Sequence, residues 1–471
     1  MLTTPQAALC KVIAKRADEL RADLAAHVAI PTGHNHTAGL NEYRDIVTSR
    51  LENLGAHTEF VAGDPAPGWL SSSGLSDEPI PPTAVCRSAR AAELLRTREE
   101  PEEPEEAPSG GAGRRGSRSG VAGRIGPEAG RRGDGPALVL IAGHLDTVFP
   151  PTGRFRRMEV SADGRTAVGP GVVDMKGGIL VAIAALEALA EVGIAPAWSF
   201  LLNSDEERGS FHSHRALEAE ARRHTVGLAL EPALPGGELA IERKGSGQFC
   251  IEVTGRSSHA GRAFFEGLSA VYGLGRVLGE LEKLSDSERG VTVNVGPIEG
   301  GTATNAVPDR AAAWGNVRYP DEASAARLGE RLDALARDVD GSSAGGTGAG
   351  AGVRVLRSFN RPAKPRTPGS DGLARSAQQV AELLGQRLPL ASTGGVCDGN
   401  ILQSAGLPTI DTLGVRGGGL HTEEEWIELP SLVERAQLLA CLLARLAEEG
   451  AWSVGGGGGG NEGRGGGGVG R

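Results

Sequence analysis

At 471 residues with a net charge of −10, the chain is too long for one compact core and too acidic to suggest nucleic acid as a partner. No apolar run reaches the roughly 18 residues that a bilayer crossing needs, and the start Met1-Leu2-Thr3-Thr4-Pro5 lacks the basic segment and apolar core of a secretory signal. Five scattered cysteines, Cys10, Cys86, Cys250, Cys397 and Cys441, show no CxxC spacing. They argue against a disulfide framework or a cysteine zinc site, and for a reducing, cytoplasmic setting.

Taken in order, residues 5–30 read as a helix, with Leu9, Val12, Ile13, Leu20, Leu24 and Val28 at three- and four-residue spacings. A second amphipathic helix is predicted over 40–54, closed by Gly55. Residues 96–134, an acidic run followed by Gly, Ser and Arg, cannot bury enough apolar surface to fold and read as a disordered insertion. The Gly-rich end, 454–471, reads the same way.

The ordered pattern resumes with the apolar run Ala137-Leu138-Val139-Leu140-Ile141-Ala142, a buried strand that ends in Gly143-His144-Leu145-Asp146. A glycine turn around Asp174 leads into a helix over 179–192. Strands over 197–202 and 226–230 end in Asp205-Glu206-Glu207 and Glu231-Pro232. Strand, acidic tip and helix in repetition give an α/β fold with a mostly parallel sheet.

From Lys244 the order becomes strand, helix, strand, strand, helix, strand, ending near Leu356, which fits a small α+β unit of ferredoxin-like type. The chain then returns with a helix over 370–385, a strand over 408–413, a Gly-rich loop to His421 and a closing helix over 431–450. The expected organisation is a catalytic domain in two parts, 1–243 and 357–453, interrupted by an inserted domain, 244–356, with a hinge at the two crossings.

Singly, His144, Asp174 or Glu206-Glu207 would be ordinary strand-end, turn or loop residues. Together they put imidazole or carboxylate at the carboxyl ends of strands or in the loops that follow, where open α/β sheets hold ligands. Imidazole nitrogen and carboxylate oxygen suit zinc, and a carboxylate with two oxygens can bridge two ions. His144 with an acid would serve one ion and His421 with an acid the other. Of the adjacent Glu206 and Glu207, one can ligate while the other handles protons. Asp146, two residues beyond His144, can accept the free ring N–H.

The segments His144-Leu145-Asp146-Thr147-Val148, Gly171-Val172-Val173-Asp174-Met175-Lys176-Gly177-Gly178, Asp205-Glu206-Glu207, Glu231-Pro232 and His421-Thr422 resemble the signature of the co-catalytic zinc peptidase/deacylase family. That family includes glutamate carboxypeptidase, acetylornithine deacetylase, succinyl-diaminopimelate desuccinylase and aminoacylase. The resemblance implies that Asp174 bridges two Zn²⁺ ions, His144 and Glu231 hold one, and Glu207 and His421 hold the other. It implies Glu206 as general base and acid, with Asp146 orienting His144. Co²⁺ or Mn²⁺ could replace zinc in so carboxylate-rich a site.

The resemblance further implies that the inserted domain forms a homodimer and lends His259, in Ser258-His259-Ala260-Gly261, to the partner's site to stabilise an oxyanion. By the same match Asn305 and Arg318 contact substrate, with Arg361 assisting; an arginine fork suits a terminal carboxylate. The implied substrate is a small peptide or an N-acyl amino acid, cleaved at an amide next to a free carboxylate. A glutamate-carboxypeptidase-like activity is the first expectation and an N-acyl-amino-acid deacylase the alternative. A non-catalytic binding protein of this fold would have lost a ligand or the base, and all six positions are filled. Two departures bear on the pocket: Pro170 in the glycine turn, and Cys397 where a small or hydroxylic residue is usual.

Overall fold

The computed structural model describes residues 1–33, 36–70, 78–99, 136–338 and 352–449. The block expected to be disordered lies outside the described residues from 100 onward, as do the Gly-rich tail and most of the turn after residue 338. Residues 96–99 are a correction to that block, since they complete the helix Ala89–Glu99.

The first sheet has six strands in the order His57–Val61, Thr83–Arg87, Ala197–Asn203, Leu138–His144, Val226–Ala229, Thr409–Ile410. The last four run parallel to one another, and the first two are antiparallel additions at one edge. Leu138–His144 is buried at all seven positions, as its uninterrupted apolar run requires. In its pairing, His144 lies beside Asn203.

Helix Lys176–Val192 packs across this sheet and is apolar on nearly every side. Such a helix must be covered all round. Helices Thr4–Lys15, Ala17–Val28 and Pro430–Glu449 do this, and together they form the main hydrophobic core. Gly193 at φ +81° closes the helix in the left-handed geometry that favours glycine.

The segment 5–30 is two helices, not one, broken at Arg16. The apolar spacing continues through the break, so periodicity alone does not reveal it. Arg16 leaves the helical path and pairs with Glu187 at 2.6 Å, on the helix it packs against.

The second sheet is antiparallel, in the order Thr292–Gly300, Arg310–Tyr319, Gly245–Thr254, Gly352–Arg361. Helices Ala270–Glu282 and Glu322–Asp338 cover one face and make a separate core with Phe249, Ile251, Val277 and Leu332. This is the inserted ferredoxin-like α+β domain. The two chain crossings lie side by side: Arg243 N–H donates to the Lys364 carbonyl at 2.9 Å and Lys364 N–H to the Arg243 carbonyl at 3.0 Å. Both side chains reach the buried Asp411, Arg243 Nη2 at 2.7 Å and Lys364 Nζ at 3.2 Å.

Candidate metal centre

The site lies at the carboxyl ends of the parallel strands. His144 ends its strand with Nδ1 3.0 Å from the Asp146 carbonyl oxygen. A carbonyl can only accept, so Nδ1 carries the proton and Nε2 presents a lone pair. That lone pair faces Asp174 Oδ1 at 3.2 Å and Glu231 Oε1 at 4.0 Å. Across the site, His421 Nε2 faces Asp174 Oδ2 at 3.5 Å and Glu207 Oε2 at 3.2 Å. The two oxygens of Asp174 thus point to different imidazoles.

Imidazole lone pairs and carboxylate oxygens cannot face each other without a cation between them, either a proton or a metal ion. With protons alone the cluster is electrostatically strained. Burial pushes Glu207 up to about 7 and Glu231 well above the carboxylate range. Burial also pushes Asp174 up, but the two imidazoles outweigh it and leave it below the ordinary range. The hydrogen bonds to Asp174 and Glu207 raise His421 to about 10. Burial disfavours a charged His144, yet its bonds to Asp146 and Asp174 hold it well above an ordinary imidazole. This donor set of neutral nitrogen and carboxylate oxygen is the one divalent zinc-like ions take, so the residues fit such ions. One ligand atom each from His144, Asp174 and Glu207 lies within 4.8 Å of the others. Glu231 and His421 join through the pair contacts above.

The supports come from other parts of the chain. Glu425, fully buried, accepts from the N–H groups of Gly171 at 3.1 Å, Val173 at 2.9 Å and Asp174 at 3.0 Å. It therefore fixes the turn that carries Asp174. Sequence reasoning missed this residue; the available signal was a carboxylate four positions after His421. Gly171 sits at φ +72°, which its place in the turn requires. Lys176, next along, is buried and donates to the carbonyls of His27 at 3.0 Å and Ile30 at 2.6 Å. It ties the turn to the N-terminal helices.

Asp146 does not hold the His144 ring chiefly through its carboxylate, whose Oδ1 is 3.5 Å from Nδ1. That carboxylate instead accepts from the N–H groups of Glu206 at 3.2 Å and Glu207 at 2.9 Å. The residue orients the ring with its carbonyl and the acidic loop with its side chain. Glu206 accepts from Arg361 Nη1 at 2.7 Å, and its charge bears on Glu231 and Glu207 beside it.

The inserted domain supplies the remaining candidates. Arg361, 3% exposed, ends the strand Gly352–Arg361. Arg318 is half-buried, and its Nη1 has no partner among the described residues. Burial, then the nearby Arg361 charge, presses its guanidinium below its usual range. His259 and Asn305 are exposed; the two-residue strand Ser258–His259 pairs with Ala306–Val307. No contact of either with the metal cluster occurs among the described residues. Cys397 is fully buried, and burial pushes its thiol well above the ordinary value.

Fold and donor set together define a metal-dependent hydrolase. The chain belongs to peptidase family M20/M25/M40, whose sequence pattern matches residues 140–445. It is 28% identical over 320 residues to carboxypeptidase G2 of Pseudomonas sp. (strain RS-16), covering 67% of this chain and 75% of that protein. It is 30% identical over 334 residues to succinyl-diaminopimelate desuccinylase 2 of Shewanella loihica, covering 66% of this chain and 85% of that protein. Among solved structures, a Staphylococcus aureus tripeptidase matches with a TM-score of 0.66 at 18% identity, over 92% of this chain and 98% of that one. No helix among the described residues is long and apolar enough to cross a membrane.

Proposed function

We propose that this enzyme hydrolyses an amide bond next to a free carboxylate, in the manner of a glutamate carboxypeptidase, with two divalent cations in the cluster. His144 and Glu231 would hold one ion, Glu207 and His421 the other, and Asp174 both. The single observation that carries the two-ion reading is Asp174, with its oxygens 3.2 Å and 3.5 Å from two different imidazoles. Bound there, the ions would polarise the scissile carbonyl and make a water beside them acidic.

The chain's own residues do the rest. Glu206, adjacent to Glu207, takes the water proton and returns it to the departing nitrogen. Asp146 fixes the backbone that carries both glutamates by accepting from their two N–H groups. Arg318 and Arg361 hold the terminal carboxylate; the lone Arg318 Nη1 supports this role. Asn305 contacts the substrate, and His259 stabilises the oxyanion from the partner in a homodimer. Their exposure in one protomer fits that reading, as do the open edge Thr292–Gly300 and the exposed Phe265 and Tyr272. In the same reading the inserted unit, expected over 244–356 but with its last strand running on to Arg361, is the dimerisation unit, zinc is the resident metal with Co²⁺ or Mn²⁺ as substitutes, and the setting is cytoplasmic, where the five free cysteines stay reduced.

The deacylase alternative is favoured by the 30% identity to a desuccinylase. A screen of dipeptides, acyl-glutamates and N-acetyl amino acids against metal-loaded enzyme separates them. Cleavage of carboxy-terminal glutamate is expected. Turnover of N-acetyl or N-succinyl amino acids alone would replace the first reading by the second.

A further inference from the structure

Helices Thr4–Lys15 and Pro430–Glu449, which both cover Lys176–Val192, meet through a pair of thiols. Cys10 Sγ and Cys441 Sγ lie 4.0 Å apart, though their positions are 431 apart along the chain. Gln437, one helical turn before Cys441, donates from Nε2 to the Cys10 carbonyl at 3.0 Å and fixes the register of the two helices at this point. About 2 Å separates the sulfurs from bonding distance, the order of displacement that a rotamer change gives a sulfur.

The two thiols are not equivalent. Cys10 is half-buried and Cys441 fully buried. The hydrogen bond from the Cys441 thiol lowers Cys10 below the ordinary range of a thiol, and the same bond, with burial, raises Cys441. Cys10 is thus the sulfur that ionises first and meets solvent, while Cys441 stands behind it with its proton. Cys86, Cys250 and Cys397 are buried, and burial pushes each of them up.

We propose that Cys10 and Cys441 form a peroxide-responsive dithiol, which closes into a disulfide and fastens the first described helix to the last. The Cys10 thiolate attacks an oxygen of hydrogen peroxide: the S–O bond forms, the O–O bond breaks, and the departing hydroxide takes a proton from solvent to become water. The Cys441 sulfur then attacks Cys10: the S–S bond forms, the S–O bond breaks, and hydroxide leaves with the Cys441 proton as a second water. The two thiols lose two electrons and two protons, and the peroxide is reduced to water. A small-molecule thiol reverses the closure by exchange. In a reducing setting the pair rests open, as the free cysteines of this structure do. Closed, the bond takes from the unfolded chain a freedom that the folded chain never had, so the folded state gains.

The test uses the whole metal-loaded protein, treated with hydrogen peroxide and then with dithiothreitol. No readout is turnover, so the result is independent of the hydrolase reading. Trypsin under non-reducing conditions should release the peptide Met1–Lys11 joined to Ala436–Arg445, two hydrogens lighter than the separate pair and parted by dithiothreitol. The melting midpoint should rise by about 2 °C or more on oxidation and return on reduction. Cys10→Ser should show neither change. Cys441→Ser should leave Cys10 as a sulfenic acid that dimedone labels.

The peptide map and the melt are read on the wild type, so an ill-folded serine variant does not blur the outcome. Four results overturn the proposal: thiols that all survive peroxide, Cys10 taken to the sulfinic acid with Cys441 still free, a cross-link through Cys86, Cys250 or Cys397 instead, or a melting midpoint that oxidation leaves unshifted.

Discussion

Around Asp174 the turn's N–H groups bond the Glu425 carboxylate, and Asp146 does the same for the two glutamates opposite. Around Arg318, on the inserted sheet, a guanidinium nitrogen has no partner among the described residues, and His259 and Asn305 lie exposed. The acidic half is built ready, with the Asp174 turn and the Glu206-Glu207 loop each fixed by a carboxylate that orients it. In the basic half Arg361 is paired with Glu206, and it is Arg318 that keeps an unbonded nitrogen among the described residues. Metal ions need fixed geometry, and a loop that drifts loses affinity. A substrate must enter and leave, so Arg318 is best completed by the substrate itself.

The comparison can be broken at its centre by Glu206→Gln. Turnover should fall about 10²–10⁴-fold, the range for a general base, with metal content by elemental analysis unchanged. Loss of metal would instead make Glu206 a ligand. Asp411→Ala should cost about 3–5 kcal/mol in urea unfolding, because buried Arg243 and Lys364 lose their shared counter-charge at the domain crossing. A cost under about 1 kcal/mol would mean that water or backbone takes over both cations.

Glu425→Ala sharpens the contrast, since it removes an orienting carboxylate and no proposed ligand. Metal affinity should weaken about 10–100-fold with the circular dichroism of the fold retained. Unchanged affinity would show that the Asp174 turn holds itself. On the other side, Arg318→Ala should raise KM for a carboxylate substrate about tenfold or more and leave metal affinity untouched.

The smallest effect is on pH. Burial lowers His27 and His224 to about 4 each. Their folded values lie below the unfolded one near 6.5, so the unfolded chain binds protons that the folded chain refuses. Stability should be unaffected by these groups above about pH 7 and fall as pH drops from 6.5 toward 4, by on the order of 1–2 kcal/mol per histidine at pH 5. His224→Gln should flatten that slope in thermal melts.

The strand-end acids were legible because topology makes their position meaningful. A buried strand must stop, and the residues at its carboxyl end reach one edge of the sheet. Glu425, Asp398 and Asp411 were not legible: Glu425 is the last of three consecutive glutamates, Asp398 and Asp411 stand singly, and all three lie in a loop or at an element's end, where exposure is the usual fate. Only their burial, at 0%, 3% and 0% exposed, shows that they serve backbone amides, a serine and a cation pair. The antiparallel strands His57–Val61 and Thr83–Arg87 also escaped detection. At five residues each they are too short for periodicity to separate from loop.

By itself the sequence determined the α/β class, the inserted ferredoxin-like unit and the residue types gathered at the sheet edge, because hydrophobic period and strand-end position are local properties of the chain. Tertiary structure alone decided which oxygen of Asp174 faces which imidazole, that Asp146 orients the ring by its carbonyl, and that Arg361 rests on Glu206. Those contacts join residues 30 to 247 positions apart along the chain, apart from the local Asp146 bond, and their geometry exists only once both sheets are packed.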